Sequence, residues 1–161
     1  MNVRVRRAQR SDAETLLQLV NALAEYEKLD PPTHAAQQRL IRDGWPDSGE
    51  ARFSAWIAEG LDSTGGQASP LGYAITFFTY SSFLARPTLY IEDIFILPEH
   101  RRSGAGTVLF KAITTAAKEA GCGRVEWVVL SWNTMAQQFY NKLGAKHLND
   151  WQYYRLELDT E

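Results

Sequence analysis

The chain has 161 residues, enough for one domain with a buried core and too few for two, so residues 1–161 are read as a single domain. Hydrophobic residues make up 45% and charged residues 22%, a folded balance, and a net charge of -2 gives no general attraction to nucleic acid. The one cysteine, Cys122, excludes an internal disulfide framework, and no apolar run approaches the ~20 residues of a membrane helix.

The start, Met1 to Arg7, has basic residues but no apolar segment after it, so it does not read as a secretory signal and a cytoplasmic protein is expected. Val3 and Val5 alternate with Arg4 and Arg6, the period of a short half-buried strand. Ser11 and Glu14 have the spacing of a capping box, and Leu16, Leu19, Val20 and Leu23 give the helix after them one apolar face. Pro31 and Pro32 stop it. A second helix is expected over 34–43, then a turn at Gly44-Trp45-Pro46-Asp47. Strands are expected over 52–59 and 71–80, with an exposed loop at 62–70. A third strand over 88–97 is almost continuously apolar except for Glu92 and Asp93, which predicts a central place in the sheet.

The second half continues the alternation. Leu109, Ala112, Ile113, Ala116, Ala117 and Ala120 share one helix face, and Gly121 ends that helix. A strand is expected over 125–130. Asn133 caps another helix with the stripe Ala136, Phe139, Tyr140 and Leu143, and Gly144 stops it. A last strand is expected over 151–158. This order predicts an α/β fold, a mixed sheet covered by helices.

The most informative segment is Arg101-Arg102-Ser103-Gly104-Ala105-Gly106-Thr107, between a buried strand and a long helix. Glycines let backbone approach a ligand, and a helix start offers unpaired N–H groups with partial positive charge, which together suit a diphosphate. The dinucleotide fingerprint fails because Leu109 stands where its third glycine belongs. The nucleotide P-loop fails because Thr107 and Val108 follow Gly106. The alternative reading of the same residues is a tight strand-to-helix connection with no ligand.

The run from Glu92 through Ile94, Phe95 and Ile96 to Gly106 resembles the acyl-CoA motif of the GNAT family of N-acetyltransferases, Arg/Gln-x-x-Gly-x-Gly/Ala, matched here by Arg101, Gly104 and Gly106. Ser131-Trp132-Asn133 and the run from Phe139 to Ala145 resemble that family's C-terminal strand and helix. Within the family, Leu23 to Lys28 and Tyr90 to Asp93 look most like the spermidine/spermine (diamine) and thialysine branch. The resemblance implies a mostly antiparallel sheet with a splayed middle strand, acetyl-CoA as co-substrate, and a homodimer. It implies that the loop amides of residues 101–107 hold the CoA pyrophosphate and that the backbone near Ile94–Ile96 pairs with the pantetheine. Asn133 is carried over as a cofactor-side residue.

Acetyl transfer to a primary amine needs the ammonium deprotonated, the thioester carbonyl polarised and the leaving thiolate protonated. Periodicity makes Tyr140 a core aromatic; the resemblance makes it the acid that faces the CoA sulfur. The resemblance likewise makes Glu92 the base, acting through a water. Alternation along a strand sends Glu92 and Asp93 to opposite faces, so they are not expected to act as one dyad. Tyr26 and Glu27 match acceptor-site positions of the branch, and Asp93 and Phe83 complete the expected substrate side. Ser81-Ser82-Phe83 stands where the polyamine enzymes carry an acidic residue and a tryptophan, which brings a lysine analogue or a short diamine level with a long polyamine. A protein N-terminus or lysine as acceptor, and a CoA-binding regulatory module without turnover, are the alternatives. His34, His100, His147 and Cys122 share no metal-ligand spacing, so no metal is expected.

Overall fold

The computed structural model describes residues 2–62 and 68–158. They fall into two compact units, one ending at Trp127 and one starting at Val128. In the first, β1 (Asn2–Arg7) leads through a 3-10 turn (Arg10–Asp12) to α1 (Ala13–Glu27) and α2 (His34–Gly44). Then come β2 (Ser54–Leu61), β3 (Ser69–Ser81) and β4 (Arg86–Ile96), a 3-10 turn (Pro98–His100), α3 (Ala105–Glu119) and β5 (Arg124–Trp127). The second unit contains α4 (Thr134–Lys142). Of the expected loop at 62–70, positions 63–67 lie outside the described residues, and Ser69 and Pro70 already belong to β3.

The strands form one mixed sheet in the order β1-β2-β3-β4-β5, antiparallel from β1 to β4 and parallel between β4 and β5. The expected mixed α/β sheet is present, and β4 is paired on both sides. Each face of the sheet buries one core. Trp56, Ala58, Leu71, Ala74, Leu89 and Ile91 pack with Ala105, Leu109, Ile113 and Ala117 of α3, the apolar stripe seen in the sequence. On the opposite face Ala55, Ile57, Tyr73, Ile75 and Phe95 pack with Leu16 and Leu19 of α1. Trp56 belongs to the α3 face, where its Nε1–H donates to Thr76 Oγ1 at 3.0 Å and the Arg7 guanidinium stacks 3.6 Å from its ring.

The start of α1 differs from expectation. The helix begins at Ala13, and Asp12 rather than Ser11 organises its entry. The Asp12 carboxylate accepts the Gln9 N–H at 2.7 Å and two bonds from Arg6 at 2.8 Å. These bonds brace the 3-10 turn before α1, and the α1 N-cap position itself has no side-chain cap. The same Arg6 joins Arg4 on Glu59, which is directly opposite Arg4 in the β1–β2 ladder and only 6% exposed. The far end of α1 closes on Lys28 in the left-handed conformation (φ 58°), ahead of the two prolines. Thr33 caps α2 through its Oγ1, which accepts the Ala36 N–H at 3.2 Å.

Two expectations for the C-terminal third are corrected. The strand expected over 125–130 ends at Trp127, and Val128, Val129 and Leu130 are exposed outside it. Among the described residues, 151–158 are assigned to no strand, and Trp151, Tyr153, Tyr154, Leu156 and Leu158 are each more than two-thirds exposed. Alternation of aromatic and polar residues specifies a strand only where a neighbouring strand supplies the hydrogen bonds.

Candidate active site

The site begins with a one-residue irregularity in β4. Ile75 of β3 stands opposite Asp93, and its successor Thr76 stands opposite Ile91, so Glu92 is an extra residue with no counterpart. The bulge reverses the alternation of side chains. Before it Leu89 and Ile91 face α3; after it Ile94 and Ile96 pack on that same core, while Phe95 joins the core under α1. Glu92 and Asp93 therefore both lie on the α1 face. This corrects the expectation from simple alternation that the two carboxylates point apart.

Asp93 is half-buried beside β3, and the Tyr73 hydroxyl donates to its Oδ2 at 3.0 Å. Its pKa rises from the ordinary 3.8 to about 6. Burial is the main cause; the Tyr73 hydrogen bond works against the rise, and the charges of Glu92 and then Glu27 add to it. Glu27, in the last turn of α1, is itself raised by burial. Three carboxylates from two elements thus share one neighbourhood, with Glu92 the exposed one. Aromatic rings surround the same face. Tyr26 packs on Phe95 at 5.8 Å between centroids, and Phe77 packs on Tyr90 at 5.3 Å. Carboxylates and aromatic faces are the two surfaces that attract an alkylammonium.

The second component is the open edge of β4. Pairing with β5 runs from Thr88↔Arg124 to Ile91↔Trp127 and stops there, while β4 continues to Ile96. The Leu97 N–H donates to Leu71 O at 2.9 Å, so backbone alternation turns Phe95 toward β3 and the polar groups of Ile94 and Ile96 toward the other edge. Among the described residues of the first unit, that stretch is paired with β3, and no strand pairs with its other edge beyond Ile91. Arg101 occupies part of it: its Nε–H donates to Ile96 O at 3.2 Å, and its guanidinium lies 4.3 Å from the Tyr26 ring centre. Arg101 is therefore tied to the strand and to Tyr26, whereas Arg102 is exposed.

The third component is the turn into α3. Arg102 (φ 63°) and Gly104 (φ 86°) both take the left-handed conformation, and Ser103 braces the turn, its Oγ–H donating to His100 O and its Oγ accepting from Ala105 N–H. The first helical bond runs from Val108 N–H to Gly104 O. The amides of Gly106 and Thr107 thus project from a helix N-terminus without an intrahelical acceptor. This end of α3 suits a diphosphate, and the open β4 edge leading from it suits an amide-bearing chain.

The remaining expected residues lie elsewhere. Phe83 is 98% exposed in the turn between β3 and β4, separated from Glu92 by the stretch of β4 from Arg86 to Glu92, roughly 20 Å at strand rise. It is not brought to the carboxylates. Asn133 and Tyr140 belong to the second unit. There the Asn133 Oδ1 accepts the Ala136 N–H at 3.2 Å as the cap of α4, and half-buried Tyr140 packs edge-on against Phe139 at 5.5 Å. Among the described residues, no three His, Cys, Asp or Glu side chains are grouped to hold a metal. Tyr73 is the site residue that sequence reasoning missed; its signal was a phenol inside the apolar run from Leu71 to Ile75.

The match to the family model described as "Acetyltransferase (GNAT) family" covers residues 16–145. Thialysine N-epsilon-acetyltransferase of Bos taurus is 35% identical over 161 residues, covering 96% of this chain and 92% of that protein. L-ornithine N5-acetyltransferase of Arabidopsis thaliana is 43% identical over 89 residues, 55% of this chain and 39% of that protein. Among solved structures, a possible acetyltransferase from Clostridium difficile 630 superposes with a TM-score of 0.79 at 16% identity, over 99% of this chain and all of that one. With a family match over most of its length, and with the relatives and the fold in agreement, this chain belongs to the acetyltransferase (GNAT) family.

Proposed function

We propose that this acetyltransferase moves the acetyl group of acetyl-CoA onto a primary amine of a small cationic molecule. The observation that carries the reading is the bulge at Glu92, which gathers Glu27, Glu92 and Asp93 on one sheet face beside the open edge of β4. A cationic acceptor is drawn to that face, and the thioester arm runs along the backbone of Ile94–Ile96 with its diphosphate at the Gly106 and Thr107 amides. Arg102 and the loop Ser103-Gly104-Ala105 complete the cradle, and Arg101 shapes it from the side of Tyr26. The family match spans both units, which supports treating 1–161 as one catalytic domain.

In this reading the acceptor's ammonium gives its proton through a water to Glu92. The free amine attacks the thioester carbonyl, the C–S bond breaks, and the CoA thiolate takes a proton from Tyr140. The products are the acetylated amine and CoA thiol, with one proton released and no bond formed to the enzyme. Asp93, Glu27 and Tyr26 hold the acceptor's charge. Relatives that act on thialysine and ornithine favour a basic amino acid as acceptor over a long polyamine, in line with the uncharged Ser81-Ser82-Phe83 turn. We read the protein as a cytoplasmic homodimer, with the exposed aromatic segment at 151–158 as a candidate contact.

The test is thiol release from acetyl-CoA with ornithine, thialysine, lysine, short diamines, spermidine and an unrelated peptide. Turnover is expected with one or more of the small amines. Tyr140→Phe is expected to lower kcat by about 100-fold. Turnover only with the peptide would move the acceptor class to protein amines, and tight CoA binding without turnover would leave a binding module.

A further inference from the structure

We infer that Tyr73 is a positioning residue of the acceptor site, its hydroxyl holding the Asp93 carboxylate on the Glu92 side of the sheet so that it receives the acceptor's ammonium. The inference rests on the proposed amine acetyl transfer and adds a residue that the sequence motifs do not contain.

Tyr73 has 0% exposure in the middle of β3, packed in the core under α1 with Leu16, Leu19, Ile57, Ile75 and Phe95. A phenol carried into such a core needs a partner for its hydroxyl, and a phenylalanine would fill the same space without one. The partner is Asp93 Oδ2 at 3.0 Å. One oxygen of the carboxylate is thereby committed to β3, leaving Oδ1 for another donor. The bulge permits the pairing: with strict alternation through Glu92, Asp93 would take the parity of Leu89 and Ile91 and lie on the α3 face.

The groups that face this carboxylate are Tyr73 from β3, Glu92 beside it on β4 and Glu27 from α1. Two are carboxylates, so the tyrosine hydroxyl is the one donor among them, and nearby Arg101 is engaged with Ile96 O and the Tyr26 ring. A half-buried carboxylate in acidic company is prone to keep its proton, and a protonated Asp93 has no charge for an ammonium. The Tyr73 hydrogen bond favours the ionised form and fixes its direction. It thereby extends amine binding to lower pH than the buried carboxylate would reach alone.

The test compares wild type with Tyr73→Phe, which removes only the hydroxyl. The Asp93 carboxyl carbon is titrated by NMR in the free protein, and KM for the best amine of the panel is followed from pH 5 to 8. Loss of the donor is expected to move the Asp93 titration upward by about one pH unit and the acidic rise of amine KM with it, leaving KM for acetyl-CoA unmoved. In an Asp93→Asn background the same Tyr73→Phe change is expected to leave the pH profile of amine KM unaltered. Should Tyr73→Phe fail to fold, Asp93→Asn alone still decides the matter: retention of the wild-type acidic rise would overturn the inference. It is also overturned if Tyr73→Phe lowers stability but moves neither titration nor KM profile. Turnover by the wild type with none of the amines refutes the amine reading and the acceptor role together, whereas amine turnover with an unmoved profile refutes the Tyr73 role alone.

Discussion

Replacing Asp93 by Asn is expected to make the protein more stable at neutral pH while raising its KM for the amine. The carboxyl titrates near 6 in the fold against an ordinary 3.8, a difference of about 2 units, chiefly because burial penalises its charge. At ~1.4 kcal/mol per unit the ionised side chain costs the native state about 3 kcal/mol at pH 7.5. The sign follows from proton counting. Between pH 4 and 6 the native state holds this proton more tightly than the unfolded chain, so stability falls as pH rises through that window. Asparagine carries no charge, and its Oδ1 can still accept the Tyr73 O–H. Urea unfolding of both proteins at pH 4, 5, 6 and 7.5 reads the difference, with the slope m checked for constancy. Asp93→Asn should gain up to about 3 kcal/mol at pH 7.5, with the gain fading towards pH 4. A gain independent of pH, or a wild type that is the more stable protein at pH 7.5, would refute the assignment of a buried, reluctantly ionised carboxylate.

Glu59→Gln should destabilise the first unit by roughly 1–3 kcal/mol, because it discharges an acceptor shared by Arg4 and Arg6. Burial opposes the Glu59 charge, but the hydrogen bonds from Arg6 and Arg4 outweigh it and hold its pKa below the ordinary value. Its contribution is therefore present at neutral pH and lost as pH falls through the lowered folded pKa, and denaturant midpoints at pH 7 and pH 3 should show the variant's deficit shrinking in acid. Gly104→Ala places a side chain at φ 86°, costing about 1–2 kcal/mol at the mouth of α3, and is expected to raise KM for acetyl-CoA more than KM for the amine. Equal rises in both would argue that the turn does not hold the diphosphate.

The sheet, its helices and the glycine turn into α3 were legible because each is written in local chemistry. The stripe from Leu109 to Ala117 states a helix, and that helix buries those residues against Leu89 and Ile91. Arg101, Gly104 and Gly106 mark the turn through their match to the family's acyl-CoA motif. What the sequence did not show was set by partners distant in the chain. Asp12 displaced Ser11 at the entry of α1 because Arg6 stands next to it in space. The segment at 151–158 has strand-like alternation but is assigned to no strand among the described residues. The bulge was hidden for a related reason: register belongs to a pair of strands, and no single strand records which of its residues is the extra one. Its trace was two consecutive carboxylates in a run of apolar residues, which strict alternation assigned to opposite faces.

That trace also explains why the bulge belongs to the chemistry. A strand buried on both sides can place a charged pair on one face only by breaking its period, and one inserted residue is the smallest break available. Leu89 and Ile91 before the insertion, and Ile94 and Ile96 after it, keep the α3 core continuous. Asp93 and Phe95 turn to the α1 side, where Glu27 and Tyr26 wait at the end of α1. The pairing of β4 with β5 ends at Ile91, next to the inserted Glu92. A sheet selected for stability alone would keep Ile91 in step with Ile94 and put a neutral side chain at position 93. The bulge thus sets Asp93, a carboxylate whose pKa burial raises to about 6, beside Glu92 and Glu27 on the α1 face, the arrangement on which the proposed binding of a cationic acceptor rests.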